Sequence, residues 1–293
     1  METALKTSAG DITGAVEKSP KELAKFYFDN GYVIVPGVLS PEEVAELRAD
    51  LRPKFDRPVA QRNPGDTVQY LFDPFSHYEK TRKIILHPRT IAVVTEILGE
   101  RPALVREFAA QLKNYSGWHK DTTCLERAGL TYHWDKDFSF MTFTCYLQDN
   151  DPVKGGGLDV APGSWTWPDR YVDAKPHKET RRPSFWDKLL GRKTEIRNDY
   201  GYEIKGFDDF FTIPSKAGDL ILFNRKIDHR ATVNSTGEDY DKMGIFGSFS
   251  RNDKHLQSYH DFIGHRADYH YLKVLNYPAD LVADAKAAGL DIF

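Results

Sequence analysis

The chain of 293 residues carries 40 Lys plus Arg against 43 Asp plus Glu, a net charge of −3, which excludes the broad basic footprint of a nucleic-acid binder. Its 40% hydrophobic and 13% aromatic residues supply the apolar surface of a globular protein. Two cysteines, Cys124 and Cys145, are too few for a disulfide framework or a cysteine zinc site, and no apolar run is long enough for a signal peptide or a membrane span, so a cytoplasmic, non-membrane protein is expected.

Residues 1–18 mix charges and small side chains and read as a disordered tail, leaving 19–293 as a single domain. Ser19-Pro20-Lys21-Glu22 starts a helix: Ser19 caps, Pro20 occupies the first turn and Glu22 closes a capping box. Asn30-Gly31 ends it, and Tyr32 to Val35 reads as a strand. Ser40-Pro41-Glu42-Glu43 repeats the start signal, and Val44, Leu47 and Leu51 then share one helix face. A further helix is expected over Thr90 to Leu98, stopped by Gly99. Beyond it come short β-rich runs at Phe108 to Asn114, Phe138 to Leu147, Leu158 to Val160, Asp219 to Phe223 and Lys242 to Ser250, the pattern of a sandwich or barrel. Gly155-Gly156-Gly157 lacks the Lys-Ser/Thr of a phosphate loop and reads as a turn. The charged stretch from Pro168 to Gly206, with Phe185-Trp186 and Leu189-Leu190, interrupts the β pattern and is expected to be a rim insertion or lid.

Chemistry concentrates at Trp118-His119-Lys120-Asp121. On extended chain the first and third side chains share a face, so His119 and Asp121 can reach one metal ion. A distant histidine would complete a two-His-one-carboxylate set, which suits iron(II) and leaves coordination positions open. A second copy, His133-Trp134-Asp135, follows fourteen residues on. His119 leaves room for a further strand over Leu130 to Lys136 before the one starting near Phe138, whereas His133 leaves none. His119 and Asp121 are therefore preferred, with His133 and Asp135 lining the cavity or forming a surface pair. The distal candidate is His229, delivered by the apolar run from Gly218 to Phe223; His255, His260, His265 and His270 recur every five residues, a spacing that scatters them over different faces, so they read as tail histidines and not as a metal cluster.

Four stretches in order carry a resemblance: Asn30-Gly31-Tyr32-Val33-Ile34-Val35-Pro36-Gly37-Val38-Leu39-Ser40, the His119-Lys120-Asp121 motif, Gly157-Leu158-Asp159-Val160-Ala161-Pro162-Gly163-Ser164, and Gly218-Asp219 leading to His229 with Asn234 beyond. From about Phe26 to Arg251 the chain resembles the phytanoyl-CoA dioxygenase-like family of Fe(II)- and 2-oxoglutarate-dependent oxygenases. The resemblance implies a mainly β double-stranded β-helix (a jelly-roll, cupin-like barrel) with N-terminal flanking helices. It implies iron at His119, Asp121 and His229, with 2-oxoglutarate and dioxygen as co-substrates. The implied reaction oxidises a C–H bond of a small molecule, by default hydroxylating it, and releases succinate and carbon dioxide. Asp121, a carboxylate where halogenating relatives leave a vacancy, argues against halogenation.

Two departures stand out. Trp165 replaces the histidine that usually follows Pro-Gly-Ser, and Lys242, thirteen residues after His229, stands where the family places an arginine for the far carboxylate of 2-oxoglutarate. Lys242 is the first anchor candidate; Gln111, Lys113, Thr144 and Arg230 are the other cofactor-binding candidates, although on extended chain Arg230 points away from His229. Gln111, Lys113, Thr142, Thr144 and Tyr146 on the cavity strands suit a small molecule of mixed polarity. Two rival readings are a non-catalytic jelly-roll module stacking a flat ligand on Trp118, Trp134, Trp165 and Trp167, and a cupin-like metalloenzyme that does not use 2-oxoglutarate.

Overall fold

The computed structural model describes residues 18–56, 68–99, 101–167, 171–172, 203–204, 207, 209–237, 240–265 and 276–292. The expected tail over 1–18, save residue 18, and nearly all of the insertion over 168–206 lie outside the described residues. Within that span are helices α1 (Pro20–Asn30), α2 (Pro41–Phe55), α3 (Pro74–His77), α4 (Arg82–Leu86), α5 (Pro88–Leu98), α6 (Thr123–Arg127), α7 (Lys254–His265) and α8 (Ala279–Ala288). The strands are β1 (Tyr32–Val35), β2 (Gln69–Phe72), β3 (Pro102–Leu104), β4 (Ala109–Leu112), β5 (Phe140–Tyr146), β6 (Leu158–Val160), β7 (Tyr171–Val172), β8 (Glu203–Ile204), β9 (Phe211–Thr212), β10 (Leu220–Asn224), β11 (His229–Ala231) and β12 (Met243–Arg251).

The N-terminal helices begin where their caps dictate. Ser19 and Ser40 each accept from the amide three residues on, while Glu22 and Glu43 reach back to the cap amide, so two otherwise orphaned donors are satisfied at each start. Gly31 closes α1 with φ +79°, and a Cβ there would come within 2.5 Å of the Trp165 ring. Both the left-handed turn and the close approach require glycine. Trp165 is therefore used in packing against the α1–β1 corner.

The strands form antiparallel sheets. The large one runs β1-β10-β5-β12-β4-β2, with β3 pairing the far end of β12; the small one runs β11-β6-β9; and β7 pairs β8. Alternation sorts the large sheet's side chains into two cores. Val33, Val35, Met141, Phe143, Cys145, Leu220, Leu222, Met243, Ile245 and Phe249 join the helices α1, α2 and α5 in one. Tyr32, Ile34, Tyr146, Ile221 and Phe223 face the other way, onto Leu158 and Val160 of the small sheet and Ile213 beyond β9. Past the small sheet this inner face is covered by helices instead: Ala103, Val105 and Phe140 pack under Leu125 of α6 and Leu256, Tyr259 and Ile263 of α7. The result is a mixed α/β architecture: helices, a large sheet, then a small sheet and a helical cap side by side.

Two expectations are corrected. Leu130 to Lys136 is not a strand: Tyr132–Trp134 is a 3₁₀ turn following α6, because Gly129, at φ +74°, turns the chain before any ladder can form. The histidine-rich stretch after Arg251 is also more than a tail, since His255 lies on the buried side of α7.

Candidate metal centre

Two short segments meet at the junction between the small sheet and the helical cap. The stretch 116–119 runs antiparallel to β11: Ala231 N–H donates to Ser116 O at 3.0 Å, His119 N–H to His229 O at 3.0 Å, and His229 N–H to His119 O at 2.9 Å. The two histidines are thus directly opposed, on one face, with ring centroids 4.3 Å apart. Just beyond, the chain turns and brings Asp121 in, its Oδ1 3.7 Å from His119 Nε2 and 3.6 Å from His229 Nε2. One donor atom from each of the three lies within 4.8 Å of the others.

Each ligand's remaining atom is tied to protein. His119 Nδ1 donates to Gly117 O at 2.7 Å and His229 Nδ1 to Ile227 O at 3.0 Å. A carbonyl accepts only, so both Nδ1 atoms carry the proton and both Nε2 lone pairs face the centre. The Thr142 hydroxyl, from the inner face of β5, donates to Asp121 Oδ2 and leaves Oδ1 directed at the histidines. Burial, aided by His119, lowers the His229 pKa to about 4, so its imidazole is neutral at physiological pH, as a ligand must be. Burial pushes the Asp121 carboxyl up, but His229, Arg225 and His119 outweigh it and hold it below the ordinary value. Two imidazoles and a carboxylate, each oriented by a second hydrogen bond, fit a divalent iron with open coordination positions.

The second motif does not converge. His133 is buried with Nε2 3.6 Å from Glu126, and Trp134 Nε1 donates to the same carboxylate at 3.0 Å. Asp135 instead meets His255 Nε2 at 3.0 Å, in a cluster with Asp137 that Lys254 enters at 3.2 Å. His133 and Asp135 do not pair with each other: the first meets Glu126 and the second His255.

The other candidates separate by parity. Thr142, Thr144 and Tyr146 are on the inner face, because their alternates are in the helix-side core. Lys242, just before β12, is 2% exposed; its Nζ donates to Gly157 O at 2.8 Å and lies 5.0 Å from the Tyr146 ring centroid. Gln111, on β4, accepts from Asn114 Nδ2 at 2.5 Å. Lys113 lies past the end of that strand at φ +60°, its amide bonded to Lys242 O. Arg230 is on the face of β11 opposite His229, paired with Asp159 at 2.8 Å and stacked on Trp118 and Phe210. Trp118 and Trp167 both meet Phe207 there, whereas Trp134 lies against Lys226 and Trp165 packs inward, so the four tryptophans form no shared platform.

One group near the centre was not anticipated from sequence. Arg225 extends the inner-face register of Ile221 and Phe223, so that alternation alone points it at the site. It donates to Ser248 Oγ at 2.7 Å, to Tyr259 Oη at 2.5 Å and to Glu107, which also accepts from Tyr259 at 2.6 Å. Burial opposes its charge, but Glu107, Tyr259 and Asp121 hold the guanidinium protonated.

Comparison with known proteins bears on family and fold. The model of the family Phytanoyl-CoA dioxygenase (PhyH) matches residues 27–240. Among solved structures, the epimerase SnoN in complex with Fe3+, alpha-ketoglutarate and nogalamycin RO is similar at TM-score 0.53 and 22% identity, over 79% of this chain and 83% of that one. The alpha-ketoglutarate-dependent carbocyclase SnoK from nogalamycin biosynthesis follows at 0.52 and 19%, over 83% and 92%. HygX from Streptomyces hygroscopicus, with nickel and 2-oxoglutarate bound, gives 0.51 and 17%, over 79% and 87%. No curated protein sequence matches the chain. No described helix is long and apolar enough to cross a membrane.

Proposed function

The chain belongs to the phytanoyl-CoA dioxygenase family and is a 2-oxoglutarate-dependent non-haem iron enzyme; from that premise we propose that it hydroxylates a C–H bond of a small molecule at an iron held by His119, Asp121 and His229. The observation that carries this reading is the convergence of His119 Nε2, Asp121 Oδ1 and His229 Nε2. In the same reading the facing sheets are the two halves of a jelly-roll barrel and the centre lies inside its mouth.

Iron bound there supplies the redox chemistry that couples decarboxylation of 2-oxoglutarate by dioxygen to oxidation of the substrate. The chain's own work is orientation and enclosure. Gly117 and Ile227 carbonyls fix the imidazole tautomers, and Thr142 fixes the carboxylate rotamer. Lys242 would pair with the far carboxylate of 2-oxoglutarate, exchanging its bond to Gly157 O for an ionic partner beside the Tyr146 ring. Arg230 is a poorer anchor because Asp159 already holds it on the outer face. The helical cap over Phe140 and the Arg225–Glu107–Tyr259 network keep water away from one side of the centre.

Anaerobic addition of Fe(II) and 2-oxoglutarate should produce a visible charge-transfer band, and the band should vanish in His119→Ala. Absence of the band in the wild-type protein would sink the proposal. Succinate release against panels of small molecules then identifies the substrate.

A further inference from the structure

Immediately behind the three ligands lies a second charged pair. Lys120, between His119 and Asp121, and Asp228, next to His229, form an ion pair of 2.9 Å with both side chains 0% exposed. The ammonium also donates to Ser164 O at 2.6 Å and to Lys226 O at 2.6 Å, while Asp228 Oδ2 faces it as the counter-charge. The Asp228 amide in turn donates to Ser164 Oγ at 2.7 Å. Three stretches of chain, at 120, 164 and 226–228, are therefore tied at one buried point.

Such pairs are poor sources of net stability, because desolvating two charges offsets their attraction; fixing a register is their best-attested use. A register needs fixing here. Strand β11 spans only His229–Ala231, and a slip of one residue would turn His229 to the opposite face. Lys120 and Asp228 occupy the alternate positions to the ligands, so the pair closes only when His119 and His229 face the metal side together.

We propose that the Lys120–Asp228 pair, with Ser164, is the positioning element that sets the separation and facing of His229 relative to His119 and Asp121. This rests on the metal reading above. The pair touches no ligand atom of the centre; it acts through the backbone of the residues that do.

Cobalt(II) serves as the probe, since its d–d absorption reports ligand number and geometry. Lys120→Met, Asp228→Asn, the double variant and Ser164→Ala are compared with wild type for melting temperature of the metal-free protein, Co(II) dissociation constant and absorption spectrum. The single Lys120→Met should lower the melting temperature most, because it strands a buried carboxylate. The double variant, with no charge left unpaired, should recover much of that loss yet bind Co(II) about 10- to 100-fold more weakly with shifted bands. Ser164→Ala keeps the ion pair and should fold even if the others do not, with weaker Co(II) binding and a shifted spectrum. Native affinity and spectrum in Ser164→Ala, or in a folded double variant, would overturn the proposal and leave the pair a structural contact. His119→Ala separates the two readings: Co(II) binding retained there refutes the centre itself, while binding lost there with native binding in the double variant refutes only the positioning role.

Discussion

Replacing Lys242 by Met tests the co-substrate anchor through stability and binding at once. Burial lowers this ammonium's pKa from 10.5 to about 7, against a smaller opposing pull from Asp159. In the unfolded chain the same group titrates near its ordinary value. Below pH 7 both states are protonated, and holding the charge inside the fold costs on the order of 5 kcal/mol. As pH rises from 7 toward 10.5 the unfolded chain binds the extra proton, so stability climbs and the cost disappears. Methionine removes the charge but leaves Gly157 O without its donor, worth about 1–3 kcal/mol. The metal-free variant should thus be more stable than wild type by about 2–4 kcal/mol at pH 6, and the advantage should shrink steadily toward pH 10. Co-substrate binding should move the opposite way. The dianion supplies the missing counter-charge, so wild-type binding takes up a proton above pH 7 and weakens there by up to about tenfold per pH unit. The variant should bind about 10- to 150-fold more weakly, from about 1.5–3 kcal/mol for a charged hydrogen bond, with no such pH dependence. Anaerobic calorimetry in two buffers of different ionisation enthalpy reads both effects. Equal affinities and no buffer-dependent heat would remove Lys242 from the site, and a large loss in Arg230→Ala instead would move the anchor to β11.

Thr142→Val removes the donor to Asp121 Oδ2 and should weaken metal binding by about 10- to 100-fold; a metal titration giving the wild-type constant would show that the hydroxyl orients nothing. His133→Ala, in the motif that does not converge, should lower the melting temperature yet leave the Fe(II)–2-oxoglutarate band intact, and loss of the band in a folded variant would reverse the choice between the motifs. Arg225→Met strips Glu107 and Tyr259 of their buried cation and should cost about 3–5 kcal/mol in denaturant unfolding, whereas a loss below about 1 kcal/mol would mean that water replaces the guanidinium.

What the sequence declared was local chemistry. Ser19 and Ser40 began their helices as written, because a capping box needs only four consecutive residues. Strand β6 fell at Leu158–Val160 as expected, and β5 and β12 lay within two residues of their expected bounds. The choice of His119 over His133 agrees with the convergence of three donors, but its supporting argument, a strand over Leu130 to Lys136, does not survive: that stretch follows the end of α6 and holds a 3₁₀ turn at Tyr132–Trp134. What stayed hidden depends on distant partners. Nothing near Arg225 announces Glu107 and Tyr259, which lie 118 and 34 residues away. Lys120 reads as an ordinary charged residue until Asp228 is placed 2.9 Å from it. Helix α7 is masked by its histidines, spaced every five residues, whereas Leu256, Tyr259 and Ile263, at i, i+3 and i+7, are what bury it.

The reciprocal hydrogen bonds between His119 and His229 have a consequence for how the protein handles metal supply. Ligand spacing is written into a peptide ladder, so the ion is captured by a ready receptor and does not have to organise the chain around itself, as it does in small zinc domains. Chelation should strip the ion while the far-ultraviolet circular dichroism stays unchanged. Metal then adds stability only by mass action, about 2.7 kcal/mol at a free concentration one hundred times the dissociation constant. Scarcity of iron would change the fraction of molecules that are active and leave the amount of folded protein nearly constant, ready to be recharged when the metal returns.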